Sequence, residues 1–337
     1  MYNKYHMKKV INWALVGTKG TVNHFLAGLR AAGGHAMAVV SRAQDRAHHF
    51  AGRNGIEKAF GNFDQMLEDP EIDVVYIGTP HITHKDLTIR ALKAKKAVLC
   101  EKPMAINAWE TREMIEAAGE NNTFLMEAMW TRFRPAMYKV RNWLSKGLIG
   151  KVKMVQANFG FRAPIEPDHR LFKLELGGGA LLDVGIYPIS FASMVFGGQK
   201  PHDIKSHIVI GKTGVDEEAA AIISYGGSRL ACASTAIRTK MVNDAWIYGD
   251  SGKIYIPSFV QALGAELLQD GKKKSRFDQE DVSNGFNFEA AEVMDCIRKG
   301  LSESPIMPLD ESLVVMETMD AIRAQNNFWY PSETRPG

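Results

Sequence analysis

The chain has 337 residues, 45% of them hydrophobic and 23% charged, with a formal net charge of +3 at pH 7. That length exceeds one ordinary hydrophobic core and points to two domains. The small net charge gives no reason to expect nucleic acid or a membrane surface as partner, and no apolar run approaches the ~20 residues that span a bilayer.

Residues 10–16 read as a buried strand. Gly17-Thr18-Lys19-Gly20 follows, then an amphipathic run over 22–32 with Phe25, Leu26 and Leu29 on one face. Strand, tight turn and helix in that order aim backbone N–H groups and a helix dipole at a phosphate. The glycine pattern is imperfect: Gly17 holds the first place of G-x-G-x-x-G, but Lys19 stands where the second glycine belongs and Gly20 comes one place late. The next strand, 37–40, ends in Ser41-Arg42, with Arg46 one helical turn on. A site for NAD usually carries Asp or Glu there for the ribose 2′-hydroxyl. A hydroxyl and two guanidinium groups suit a 2′-phosphate instead, so the expected cofactor is NADP, with NAD the alternative.

A strand at 74–77 ends in Gly78-Thr79-Pro80-His81, a loop placed to line the cofactor, with His84 opening the helix after it. The apolar strand 97–100 runs into Glu101-Lys102-Pro103. Ligands in open α/β sheets gather at strand carboxyl ends, so Lys102 leaves the sheet where a nicotinamide would lie. A helix over 107–119 has Asn107 as its cap, with Glu110 completing a capping-box pattern. The strand 123–126 then leads to Trp130 and Arg132, expected to project into the same cleft.

Strand 151–161 opens the second half, and a polar loop over 164–176 is placed to fold over the substrate. Asn158 and Phe161, with that loop, are expected to decide the substrate. Gly177-Gly178-Gly179 permits a close backbone approach, and the helix after it carries Asp183 and Tyr187 at i, i+4 on one face. Pro188 is expected to bend that helix. Segments 203–210, 217–225, 229–238 and 244–248 read as successive strands without intervening helices, hence antiparallel. Helices are expected over 285–300 and 310–325, packed near the domain junction. Cys100, Cys232 and Cys296 have neither metal spacing nor an even count for disulfides, and no metal site is visible. With a polar start at 1–9 that lacks a signal core, they point to the cytoplasm.

These motifs resemble the glucose–fructose oxidoreductase / inositol dehydrogenase superfamily. Beyond the Gly78-Thr79-Pro80 loop and Glu101-Lys102-Pro103, the runs Met126-Glu127-Ala128-Met129-Trp130-Thr131-Arg132-Phe133 and Gly177-Gly178-Gly179-Ala180-Leu181-Leu182-Asp183-Val184-Gly185-Ile186-Tyr187-Pro188 resemble the branch with dimeric dihydrodiol and NADP-dependent D-xylose dehydrogenases. The resemblance implies an α/β protein. A Rossmann domain over residues 1–126 would precede a substrate and oligomerisation domain over 127–337, built on a large, mostly antiparallel open sheet that forms a homodimer or higher homo-oligomer. It also implies hydride transfer on a sugar, polyol or cyclic diol, with Lys102 and Tyr187 as acid/base pair and Asp183 beside them. The residues expected at the cofactor are Gly17, Thr18, Lys19, Ser41, Arg42, Arg46, Thr79, Pro80, His81, His84, Glu101, Lys102, Trp130 and Arg132. Those expected at the substrate are Lys102, Trp130, Phe161, Asp183 and Tyr187. Two alternatives stay open: redox-neutral glycoside cleavage with bound NAD, and a non-catalytic nucleotide sensor.

Overall fold

The structure, a computed structural model, describes residues 10–280 and 283–333. The polar start at 1–9 lies outside the described residues.

Six strands form the first sheet: β1 (Asn12–Val16), β2 (His35–Val40), β3 (Lys58–Phe60), β4 (Val74–Ile77), β5 (Ala97–Glu101) and β6 (Leu125–Ala128). Their order is β3-β2-β1-β4-β5-β6 and every pairing is parallel. β4 and β5 are buried along their whole length, as strands covered on both faces must be. The covering helices are α1 (Thr21–Ala31), α2 (Gln44–Asn54), α3 (Phe63–Leu67), α4 (His84–Lys93) and α5 (Ala108–Asn121). Strand order reverses between β1 and β4, which opens a crevice above their carboxyl ends. β6 stays in this sheet two residues past the expected boundary at 126. Asn107 caps α5, its Oδ1 accepting from Glu110 N at 2.8 Å. The Glu110 carboxylate faces Lys85 at 3.8 Å.

After α6 (Pro135–Ser145) comes an eight-stranded sheet of β7 (Val152–Gly160), β8 (Asp203–Ile210), β9 (Asp216–Ser224), β10 (Leu230–Ala236), β11 (Ala245–Gly249), β12 (Lys253–Ile256), β13 (Gly264–Gln269) and β14 (Lys272–Asp278). Its order is β14-β13-β12-β11-β7-β10-β9-β8. Antiparallel pairing holds except at the centre, where β10 lies parallel to β7. β12 to β14 extend the sheet beyond the strands expected from the sequence.

One face of this sheet packs on α7 (Ile186–Val195). The segment Leu174–Val195 has the length and mean hydropathy of a membrane span, but 89% of its most apolar window is buried inside the protein. α8 (Phe286–Arg298) returns to pack on α1, and α9 (Leu309–Gln325) touches α5, α7 and β8. The other sheet face stays open. Ile222, Cys232, Gln156, Trp246 and Tyr255 are successive cross-strand neighbours on it, Ile222 is 52% exposed, and the Trp246 and Tyr255 rings stack at 4.3 Å. Asn158 belongs to this open face, with Nδ2 donating to Asp244 and Oδ1 accepting from Ser234 Oγ. It therefore does not line the cleft as expected: strand alternation turns it away from Phe159.

Candidate active site

Lys102 emerges from β5 and its Nζ donates to the backbone carbonyl of Asp183 at 2.6 Å. The same ammonium lies 3.7 Å from Asp183 Oδ1 and 4.8 Å from the centre of the Tyr187 ring. Asp183 Oδ1 also accepts from Arg170 Nη1 at 2.8 Å. The Tyr187 hydroxyl accepts from Trp130 Nε1 at 3.0 Å. One strand end of the first sheet, the 3-10 turn Trp130–Phe133, the 3-10 turn Arg170–Phe172 and the helix after the glycines thus converge on one cleft.

Asp183 does not sit in a regular α-helix as its spacing suggested. Leu181–Gly185 form a π-turn that leads into α7. Pro188 has no N–H for Val184 O and its ring crowds that carbonyl, so the wider turn relieves a clash an α-helix would suffer.

Burial opposes the Lys102 charge, but Tyr187, Asp183 and Glu101 outweigh it and raise the amine's pKa. Burial likewise opposes the Asp183 carboxylate, yet Lys102 and Arg170 hold it well below the usual range. For Tyr187 burial wins: it raises the phenol although Lys102 pulls the other way. The resting cleft therefore holds an ammonium, a carboxylate and a neutral phenol. Lys102 pulls the phenol's pKa down, but by less than burial of a phenolate raises it.

The cofactor side fits a dinucleotide. Gly17 has φ +114°, and a Cβ there would stand 3.0 Å from Gly78 O, so the ends of β1 and β4 meet with no room for a side chain. Thr18 is half-buried, and Lys19 and Gly20 are exposed at the start of α1. Ser41 follows β2, with Arg46 Nε 3.4 Å from its Oγ, and Arg42 and Arg46 are exposed. Such a surface suits a 2′-phosphate. Thr79 and Pro80 are half-buried at the end of β4.

Several expected cofactor residues are occupied elsewhere. Arg132 is buried, with Nη2 donating to Glu311 Oε1 at 2.6 Å and to Ser190 O at 2.7 Å, so its charge is spent inside the second half. His84 is fully buried between Pro103 O and Thr79 O, each 2.9 Å from a ring nitrogen, and so ties two loops together. Glu101 turns inward, accepting from Tyr76 OH at 2.7 Å and from Lys102 N at 3.2 Å. His81 Nδ1 donates to Gly177 O at 3.0 Å across the two halves, and burial pushes the ring down to about 3, so it is neutral. Phe161 is one ring removed from the centre: it packs on Phe159, which meets Tyr187 edge-on at 5.4 Å.

Two residues here went unread in the sequence. Arg170 had only its place in the polar loop to mark it. Phe286 stacks on Trp130 at 5.3 Å and had no local signal at all.

Residues 11–129 match the family described as oxidoreductase family, NAD-binding Rossmann fold, and residues 137–255 match the GFO/IDH/MocA C-terminal domain. The chain belongs to the Gfo/Idh/MocA oxidoreductase family. It is an NAD(P)-dependent oxidoreductase of that family. A trans-1,2-dihydrobenzene-1,2-diol dehydrogenase from Xenopus laevis is 39% identical over 330 residues, covering 95% of this chain and 99% of the relative. Among solved structures, the aldose-aldose oxidoreductase from Caulobacter crescentus superposes with a TM-score of 0.86 at 23% identity, covering 95% of this chain and 98% of that one. A 3-ketoreductase from Actinomadura kijaniata, in complex with NADP and TDP-benzene, gives a TM-score of 0.82 at 23% identity over 94% and 98%. Both likenesses speak to the fold.

Proposed function

We propose that this protein transfers a hydride between NADP and the CH–OH or carbonyl carbon of a sugar, polyol or cyclic diol, with Lys102 and Tyr187 as the acid/base pair. The observation that carries this reading is the convergence of Lys102 Nζ, Tyr187 and Asp183 from two different sheets' layers onto one cleft. When bound, the nicotinamide supplies or accepts the hydride. Gly17, Thr18 and Lys19 would hold its pyrophosphate, Ser41, Arg42 and Arg46 its 2′-phosphate, and Thr79 and Pro80 would lie along it.

The chain's own groups handle the proton. On reduction of a carbonyl, the neutral Tyr187 hydroxyl gives its proton to the developing alkoxide; on oxidation, the phenolate takes one from the substrate hydroxyl. Trp130 Nε1–H and the Lys102 ammonium both favour the phenolate that must form. Asp183, charged and backed by Arg170, accepts from a neighbouring substrate hydroxyl. NADP preference is supported by Ser41, Arg42 and Arg46 standing where an acid would read the 2′-hydroxyl. A cyclic diol is supported by the dihydrodiol dehydrogenase relatives.

The open sheet face, with Ile222, Trp246 and Tyr255 on it, suits a second copy of the chain, since apolar rows of this kind are buried by pairing. Three free cysteines accord with a reducing, cytoplasmic setting. The test is net consumption of NADPH or NADP, measured with the purified protein over aldoses, inositols, osones and trans-diols. Turnover on one class with NADP(H) preferred supports the reading. Glycoside cleavage without net cofactor change, or nucleotide binding without turnover on any class, overturns it.

A further inference from the structure

We infer that Asp216, the first residue of β9, is a positioning residue for the catalytic helix; the inference rests on the function proposed above. Asp216 is 0% exposed. Its Oδ2 accepts from Leu181 N at 2.6 Å, at the start of the π-turn. The first N–H groups of a helix lack partners within it and need an acceptor from elsewhere. Ala180, which precedes the turn, has no side chain able to cap it. The cap is therefore delivered across space by the sheet.

Gly179 shows how closely the carboxylate is fitted. Its φ is +122°, and a Cβ added there would stand 2.0 Å from Asp216 Oδ1. The last of the three glycines is thus small because the carboxylate fills the place of a side chain. The other two are held as well: Tyr330 OH donates to Gly178 O at 3.0 Å, and His81 Nδ1 to Gly177 O at 3.0 Å.

From Leu181 the path to the chemistry is two residues long. Asp183 follows in the same π-turn, and its carbonyl is the acceptor that anchors Lys102 Nζ at 2.6 Å. Asp216 sets where the turn begins, the turn sets where that carbonyl points, and the carbonyl sets where the ammonium rests beside Tyr187. Misplacing a catalytic group by about 1 Å can cost on the order of 100-fold in rate.

The experiment compares Asp216→Ala, Asp216→Asn and Gly179→Ala with the parent enzyme. Steady-state kinetics are read across pH, with NADPH affinity by fluorescence. Asp216→Ala is expected to lower kcat about 100-fold and move the pH–rate limb, with NADPH affinity kept within about threefold. Asp216→Asn keeps an acceptor for Leu181 N and is expected to recover most of the loss. Gly179→Ala is expected to reproduce the defect with the carboxylate intact, and it decides the matter should Asp216→Ala not fold. A folded Asp216→Ala with kcat within about threefold of the parent and an unmoved profile overturns the inference. So does a parallel loss of NADPH affinity and kcat in all three variants, which would mark a role in folding alone. Lys102→Ala, run alongside, separates the two levels: if it retains turnover, the proposed function fails; if it is inactive while Asp216→Ala is not, only the positioning role fails.

Discussion

Lys102 Nζ lies over the face of the Tyr187 ring, 4.8 Å from its centre, while the Tyr187 hydroxyl is held by Trp130. The two residues come from opposite halves of the chain, so each half supplies one member of the proposed proton-handling pair. Lys102→Ala and Tyr187→Phe should each lower kcat by about 100- to 10,000-fold. NADPH affinity should change little, because neither substitution reaches Gly17 or Ser41. Retention of near-parental turnover by both variants would remove the mechanism.

Cofactor choice should follow the end of β2. Arg42 and Arg46 are exposed, and the proposed reading gives them the phosphate that NAD lacks. A hydrogen bond to a charged group contributes roughly 1.5–3 kcal/mol. Arg42→Ala and Arg46→Ala should each lower kcat/KM for NADPH by about ten- to a hundredfold while leaving NADH almost untouched. Equal losses with both cofactors would assign the arginines to folding instead.

His81 should make the fold more sensitive to mild acidification. Burial lowers its pKa from 6.5 to about 3. Between those values the unfolded chain binds a proton that the folded chain does not, so stability declines as pH drops through that window. A single group contributes up to about 1.4 kcal/mol per pH unit. Glu127 and Asp216 act with the opposite sign, since burial raises each to about 7 and the folded state then holds the extra proton. The comparison must therefore be between the parent and His81→Gln by denaturant titration from pH 7.5 to 4.5. The variant should show a shallower loss on acidification, and identical slopes would refute the assignment.

The open sheet face gives a separable prediction. Trp246→Glu or Ile222→Lys places a charge in the centre of the proposed contact. Light scattering should show a dimer for the parent and a monomer for the variants. A parent that is monomeric at all concentrations would discard the contact.

Lys102 and Tyr187 were legible because each stands where local sequence already dictates direction: a buried strand running into proline, and a glycine turn opening a helix. The errors have a common physical source. A polar side chain looks the same in sequence whether it faces a cleft or closes a buried network, and Arg132 and His84 do the second. Alternation along β7 announces two faces without saying which one meets the cleft, so Asn158 was placed on the wrong side. The π-turn at Leu181–Gly185 depends on a proline further along, β12 has only four residues, and β14 is mostly charged. Phe286 reaches Trp130 only because α8 returns to pack against the first half from far along the chain.

That doubling back has a structural cost for anyone who would divide the molecule. A Cβ on Gly28 of α1 would come 2.6 Å from Phe286 Cβ and 2.7 Å from Asn287 N, so the two backbones are in direct apposition. Severing the chain ahead of α8 would strip the nucleotide-binding half of its own roof and bare an apolar groove to water. The early segment and the late one are a single physical module, however far apart they are written.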